Sequence, residues 1–379
     1  MVAALVVASA LICGCGGSGN NAGNGGSGGT RLSPAATPTV TTANAQNGAV
    51  IVSLADSTSG AKIYYTLDGS TPTTASQQYQ APVLVSSNVT VNAIATASGY
   101  TDSSVATKNF APIIASGTLV WSDDFSNSGT SNILPDSKTW TYDTGFQCCG
   151  NHELETYCAA GSATSPCDPN NPNAYIDSTG LLHVVGRNPS GTTYTSARLK
   201  TQGLFSFMYG RIEARMKLPE SQGMWPAFWL LGNNIATLSW PACGELDVME
   251  HIDGNNPPFY MGAAPPGYDW IAGSVHGGPS GAQEANGGEK YHPNGFSAAD
   301  WHIYGMIWSK GQVQYYVDDP SNVYATFTPA NFPGPWPFDQ GPQFIILNLA
   351  IGGDWPGSPN ATTVFPGDMQ VDYVRIFTN

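Results

Sequence analysis

Apolar and polar positions alternate most clearly from Arg211 to Leu218 (RIEARMKL). Ile212, Ala214, Met216 and Leu218 fall on one face, with Arg211, Glu213, Arg215 and Lys217 on the other. That period of two predicts a strand with one side on a core. Phe344 to Ile351 (FIILNLAI) is apolar on both faces and predicts a central strand. Val371 to Phe377 (VDYVRIF) predicts a final strand. No long segment follows a helical period, and no internal repeat is present. Clusters such as NNPPFYMGAAPPG (255–267) predict loops. From about 118 to 379 the pattern therefore predicts an all-β, two-sheet sandwich.

A second, smaller set of strands precedes it, over 33–112. Val50 to Leu54 and Lys62 to Thr66 are strand-like, and the turn Leu67-Asp68-Gly69-Ser70 follows. Val89, Val91, Ala93 and Ala95 then alternate with Thr90, Asn92, Ile94 and Thr96. Short strands with turn signals every ten or so residues predict an Ig-like sandwich. The stretches IYYTLDGSTPT (63–73) and NAIATASGYTDS (92–103) resemble the chitobiase/hexosaminidase C-terminal type of Ig-like module. No acids or histidines converge in it, so a spacer role is expected ahead of a binding role.

The first fifteen residues carry a short apolar run, VAALVVASALI (2–12), too short to span a membrane. Ile12-Cys13-Gly14-Cys15 follows and resembles a bacterial lipoprotein signal, with Cys15 as the lipidated position. The basic segment that normally precedes such a run is missing, which points to a start further upstream. Residues 16–32 are a Gly/Ser/Asn-rich tether. A secreted or cell-surface lipoprotein is expected, attached to a membrane only through Cys15, and monomeric.

Composition narrows the partners. Charged residues make up 11% of the 379, against about 25% in an average soluble protein. Ten Trp and 17 Tyr suit sugar rings, which offer an apolar face and hydroxyls, although most of these aromatics are expected to fill a β-core. The net charge of −14 argues against nucleic acid, which demands a basic patch. The seven cysteines (Cys13, Cys15, Cys148, Cys149, Cys158, Cys167, Cys243) lack zinc-site spacing. Cys158 and Cys167 suit a loop staple, and the odd count leaves at least one thiol outside an intrachain disulfide. His152-Glu153 starts an H-E-x-x-H pattern, but residue 156 is Thr, so a zinc-protease reading fails.

The chemistry concentrates in Gly244-Glu245-Leu246-Asp247-Val248-Met249-Glu250-His251, three acids within six residues between Trp240 and Ile252. Three carboxylates in an apolar strand are electrostatically costly and have no structural purpose there. Calcium would favour a loop wrapped around the ion. Glycoside hydrolysis needs such a set: one carboxylate attacks the anomeric carbon and another, protonated, gives its proton to the leaving oxygen. A third between them keeps the partner protonated and orients the nucleophile. In a regular strand Glu250 would point away from Glu245. A bulge near Val248-Met249 restores the common face. The two Cα atoms would then lie roughly 13 Å apart, so the side chains must converge over a concave sheet. His251 should point opposite to Glu250 and serve structure.

Matching segments now run along 118–379: WSDDF (121–125), WTYDTG (140–145), GNHELETY (150–157), YTSARLKT (194–201), YGRIEARMKLP (209–219), GMWPAFWLLG (223–232), WPACGELDVMEHI (240–252), SVHGG (274–278), FIILNLAIGGDWPG (344–357) and VDYVRIF (371–377). In these the chain resembles glycoside hydrolase family 16, in particular its laminarinase (endo-β-1,3-glucanase) branch. The resemblance implies a β-jelly-roll (concanavalin A-like) sandwich with an open cleft and a retaining mechanism on β-1,3-glucan. Glu245 would be the nucleophile, Asp247 the assisting acid and Glu250 the acid/base, with no cofactor for catalysis. The form E-x-D-x-x-E is the laminarinase version, whereas lichenase-type members carry E-x-D-x-E. The resemblance further implies sugar contacts from Asn151, Glu155, Arg198, Trp225, Trp229, Trp240, His276 and Trp355, and a structural calcium ion held at Asp124, Gly180 and Asp372. The chain departs from the family at Gln147-Cys148-Cys149-Gly150, where relatives often carry a Trp, and by a tract from Ser162 to Asn173 that looks inserted. Siblings acting on mixed-linkage glucan or a galactan are the enzymatic alternatives, and a non-catalytic β-glucan-binding protein is the other. Such binding proteins lose the catalytic acids, which are all present here.

Overall fold

A computed structural model describes residues 31–253, 269–279 and 284–379. The leader with Cys15 and the tether up to Thr30 lie outside the described residues. Among the described residues the chain is almost wholly strands and loops, with one short helix at Ile235–Leu238.

Two large sheets pack face to face. In one, Gln343–Ile351 pairs with Met224–Gly232, which pairs with Glu245–Glu250; Ile271–Gly277 and Ala285–Tyr291 continue the layer. In the other, Gly210–Lys217 lies between Gly367–Phe377 and His302–Ser309. The predicted alternation holds: Ile212, Ala214 and Met216 are fully buried between the layers. Glu213, on the opposite face, is also buried, because Arg211 pairs with its carboxylate and the Tyr316 hydroxyl donates to it at 2.6 Å. Gln343–Ile351 is buried along its whole length, as a strand apolar on both faces requires. Its inward side chains join Phe228, Leu230, Leu246 and Met249 in the main core.

The N-terminal module is a smaller sandwich. Thr39–Asn44, Val50–Ala55 and Val83–Val85 form one layer; Gln77–Gln78, Lys62–Thr66, Val89–Thr96 and Ala106–Phe110 form the other. Its core holds Val52, Leu54, Ile63, Tyr65 and Val91.

The module does not hang free from the larger body. Val83–Val85 pairs antiparallel with its own neighbour at Val50–Val52 and parallel with Ser206–Phe207 of the large sandwich, so one sheet runs through both. Side chains alternate across this strand: Val83 and Val85 fill the small core, while Leu84 enters the large one. Gln46 reinforces the seam, its backbone N–H donating to the Val120 carbonyl at 3.1 Å and its Nε2 to Ser122 Oγ at 2.9 Å. Gln77 Nε2 donates to the Gln340 carbonyl at 2.8 Å.

Candidate active site

The strand Glu245–Glu250 carries the bulge that the spacing demands. Trp229 stands opposite Asp247 and Phe228 opposite Met249, leaving Val248 without a cross-strand partner. On its other edge the register jumps from Asp247 opposite Ser274 to Glu250 opposite Ala272. Leu246, Val248 and Met249 therefore all turn into the main core. Glu245, Asp247 and Glu250 are left together on the outer face.

Each outer glutamate receives an indole N–H. Trp240 Nε1 donates to Glu245 Oε2 at 3.0 Å, and Trp225 Nε1 donates to Glu250 Oε1 at 3.0 Å. Asp247 forms an ion pair with His276, whose Nε2 lies 2.9 Å from Asp247 Oδ2. The other ring nitrogen of His276 contacts Glu284. One oxygen each of Glu245 and Asp247 and a nitrogen of His276 lie within 4.8 Å of one another.

Electrostatics follow from this crowding. Burial first, and then the charge of Asp247, push the Glu245 carboxyl up to about 8. The same two causes push Glu250 up to about 8. His276 moderates both. Burial alone would lower its ring, but Asp247 and Glu284 outweigh that and hold it well above the ordinary imidazole value. Glu284 in turn is held below the usual carboxylate range by its bond to His276. Near neutral pH the coupled pair is thus largely protonated, and the form with a carboxylate beside an acid is the one that has lost one of its two protons, while Asp247 faces an imidazolium.

The other expected site residues divide into those at the acids and those behind them. Arg198 stacks its guanidinium 4.5 Å over the Trp229 ring and pairs with Asp143 at 3.0 Å, and its charge acts on Glu245. Trp229 itself is buried, with Nε1 donating to Asn348 Oδ1 at 2.7 Å, so it forms floor and not platform. Trp240, 45% exposed, offers an open ring beside Glu245. Trp355 meets Trp225 edge-on at 5.2 Å and backs the indole that serves Glu250. Asn151 is exposed, and its carbonyl accepts the Asp354 N–H at 2.9 Å, joining its loop to the one that carries Trp355.

Glu155 corrects the sequence reading. It is 1% exposed and accepts the Ile351 N–H at 2.8 Å, so it braces the sheet from within and presents no oxygen to a sugar. Burial, then the neighbouring Glu153, raise its carboxyl well above the usual range. His251 is buried with Nδ1 2.8 Å from the Trp270 carbonyl, a structural place opposite Glu250.

Two of the three expected calcium residues pair with arginines through their side chains. Asp124 accepts from Arg375 Nε at 2.9 Å, and Asp372 from Arg215 Nη1 at 2.9 Å. Gly180 packs beside the Phe125 carbonyl. These ion pairs engage side-chain oxygens, whereas the resemblance places calcium on backbone carbonyls at Asp124 and Gly180, and no step below depends on the ion. Cys148 bonds Cys149 and Cys158 bonds Cys167, while Cys243 is a buried free thiol.

Sequence reasoning missed Asp143, Asn348 and Glu284. Asn348 had a signal, as the single polar residue in FIILNLAI. Glu284 had none, because it follows a Gly/Pro/Ser stretch with no periodicity.

Comparison with known proteins agrees in two places. Residues 170–375 match the model of glycosyl hydrolases family 16, and residues 41–107 match the chitobiase/beta-hexosaminidase C-terminal domain. A beta-glucanase of Rhodothermus marinus is 35% identical over 271 residues, covering 68% of this chain and 84% of that protein. A glucan endo-1,3-beta-glucosidase A1 of Niallia circulans is 32% identical over 70% of this chain, a match that spans only 38% of its own length. Among solved structures, the laminarinase catalytic domain of Thermotoga maritima superposes with a TM-score of 0.57 at 34% identity, covering 70% of this chain and 99% of that one.

Proposed function

The chain belongs to glycosyl hydrolases family 16 and is a glycoside hydrolase, and we propose that it cleaves β-1,3-glucan internally by a retaining double displacement. The observation that carries this reading is the bulge that brings Glu245, Asp247 and Glu250 to one face, with an indole N–H on each glutamate.

In the first step, the Glu245 carboxylate attacks the anomeric carbon while Glu250 gives its proton to the glycosidic oxygen. The C–O bond to the leaving chain breaks, and a glycosyl ester forms on Glu245. In the second, Glu250 takes a proton from water, whose oxygen attacks the same carbon and releases Glu245. Two inversions leave the configuration unchanged. Asp247 raises the proton affinity of Glu250 for the first step, and the Trp240 N–H stabilises the charge on Glu245 when it departs. The β-glucanase and endo-1,3-β-glucosidase relatives support a β-glucan substrate, and the laminarinase-type spacing E-x-D-x-x-E supports the β-1,3 linkage. The apolar leader and Cys15 support export and a lipid anchor, with the tether holding the body off the membrane.

The test is release of reducing ends from laminarin, lichenan, agarose and xyloglucan, with proton NMR of the first-formed anomer. Laminarin should be the preferred substrate and the β-anomer should appear first. Glu245→Gln and Glu250→Gln should each lose at least about a thousand-fold in kcat. Near wild-type activity in either variant would overturn the roles, and preference for another glycan would overturn the linkage.

A further inference from the structure

A cavity of about 380 Å³ opens at the seam between the N-terminal module and the large sandwich. Small-ligand pockets occupy roughly 300–1,000 Å³. Gln80 comes from the module. Thr141, Lys200 and Gln202 come from the edge of the sheet that bears the catalytic acids, and Asn233 comes from the turn after Met224–Gly232.

Register places this cavity in line with the acids. Lys200 stands opposite Ile346, Ile346 opposite Trp229, and Trp229 opposite Asp247. Cross-strand partners share a face, so Lys200 and Asp247 lie on the same side of one sheet. Three strand spacings separate them, about 14 Å at about 4.8 Å each. A polysaccharide lying across these strands reaches the seam a few sugar units from the bond being cut.

The lining chemistry selects a neutral, hydroxyl-rich group. Lys200 shares the Asp143 carboxylate with Arg198 and donates to Gln202 Oε1 at 2.7 Å, so its ammonium is held by protein partners on two sides. The other polar lining groups are the amides of Gln80, Gln202 and Asn233 and the hydroxyls of Thr141 and Tyr142, which both donate and accept, as sugar hydroxyls do, beside Gly203 and Ala236. Asn233 is 4% exposed, and its Oδ1 has no hydrogen-bond partner among the described residues. That oxygen is sealed from the cavity in this structure, and a turn of the amide would offer it to a ligand hydroxyl.

We propose that the seam cavity is a distal subsite for a neutral hexose unit of the substrate chain, with one wall, Gln80, supplied by the N-terminal module. The module then extends the cleft and lengthens the stretch of glycan that the enzyme grips. This rests on the glycan-hydrolase reading above and goes beyond it by giving the module a part in substrate binding.

The experiment compares kcat/KM on a long polymer with that on a trisaccharide, which is too short to reach from the acids to the seam. It uses the full chain and whichever neutral glucan the wild type cleaves. Gln80→Ala removes the module's amide, and Ala236→Leu, on the exposed short helix, narrows the cavity without touching the core. Both should lower the polymer-to-trisaccharide ratio about five-fold with an unchanged unfolding temperature. A wild-type ratio in both variants would overturn the subsite. A wild type that cleaves only another glucan overturns the β-1,3 assignment but leaves the ratio readable on that glucan.

Discussion

His276 Nε2 lies 2.9 Å from Asp247 Oδ2, across two neighbouring strands whose register sets His276 opposite Glu245 and Asp247 opposite Ser274. The ring thus reaches diagonally to the central acid, and Glu284 holds its far side. Asp247 and His276 act on the glutamates with opposite sign, which makes their contributions separable.

Asp247→Asn removes a charge that raises both glutamates, whereas His276→Asn removes one that lowers them. The basic limb of kcat/KM, set by loss of the acid's proton, should lie near pH 8 in the wild type. It should move down in Asp247→Asn and up in His276→Asn. Activity should fall in both, by about a hundred-fold for Asp247→Asn. Shifts in the same direction would show that the pair does not act through charge.

Much of this was legible in the sequence. The odd spacing of Glu245 and Glu250 required a bulge, and Val248 supplies it, because strand parity is a local property. Likewise, RIEARMKL reported its own burial pattern. Glu284 was not legible, since it lies on a partner strand's approach and only tertiary pairing brings it to His276. Glu155 was misplaced because a buried carboxylate bonded to a backbone N–H and an exposed one look alike in sequence. The shared sheet at Val83–Val85 was hidden for a similar reason: a short, fully buried apolar strand does not reveal how many cores it serves.

Neutralising either glutamate should stabilise the protein. Their folded values, about 8, stand above the unfolded value near 4.5. The folded state therefore binds more protons than the unfolded one between those limits. Stability from these groups is intact below about 4.5 and is lost as pH rises toward about 8. Glu245→Gln and Glu250→Gln should each gain roughly 1–2 kcal/mol at pH 8, with the gain vanishing near pH 4. Urea denaturation at the two pH values measures it, and an equal effect at both would refute the electrostatic cause.

Trp225 should matter through its nitrogen as well as its bulk. Its N–H on Glu250 favours the carboxylate form and so holds that group below where burial and Asp247 alone would put it. Trp225→Phe keeps a ring against Trp355 but loses the donor. The basic limb should move up and kcat should fall by about ten-fold, while KM on laminarin changes by less than about three-fold. A large rise in KM with kcat unchanged would mean instead that the indole's role is to hold sugar.

The seam should make the two sandwiches unfold as one. Leu84 is 6% exposed and packs in the large core although it belongs to the small module, and its neighbours Val83 and Val85 pack in the small one. Its backbone lies inside a sheet that continues into Ser206–Phe207. Opening either core therefore strips the other of a wall. Leu84→Ala should cost about 2–5 kcal/mol, the range for a large-to-small change in a packed core. Calorimetry of residues 31–379 should give a single transition in the wild type and a single, lower one in the variant. Two transitions in the wild type, or a variant in which only a small early transition moves, would show that the continuous sheet does not couple the bodies and that the module melts on its own.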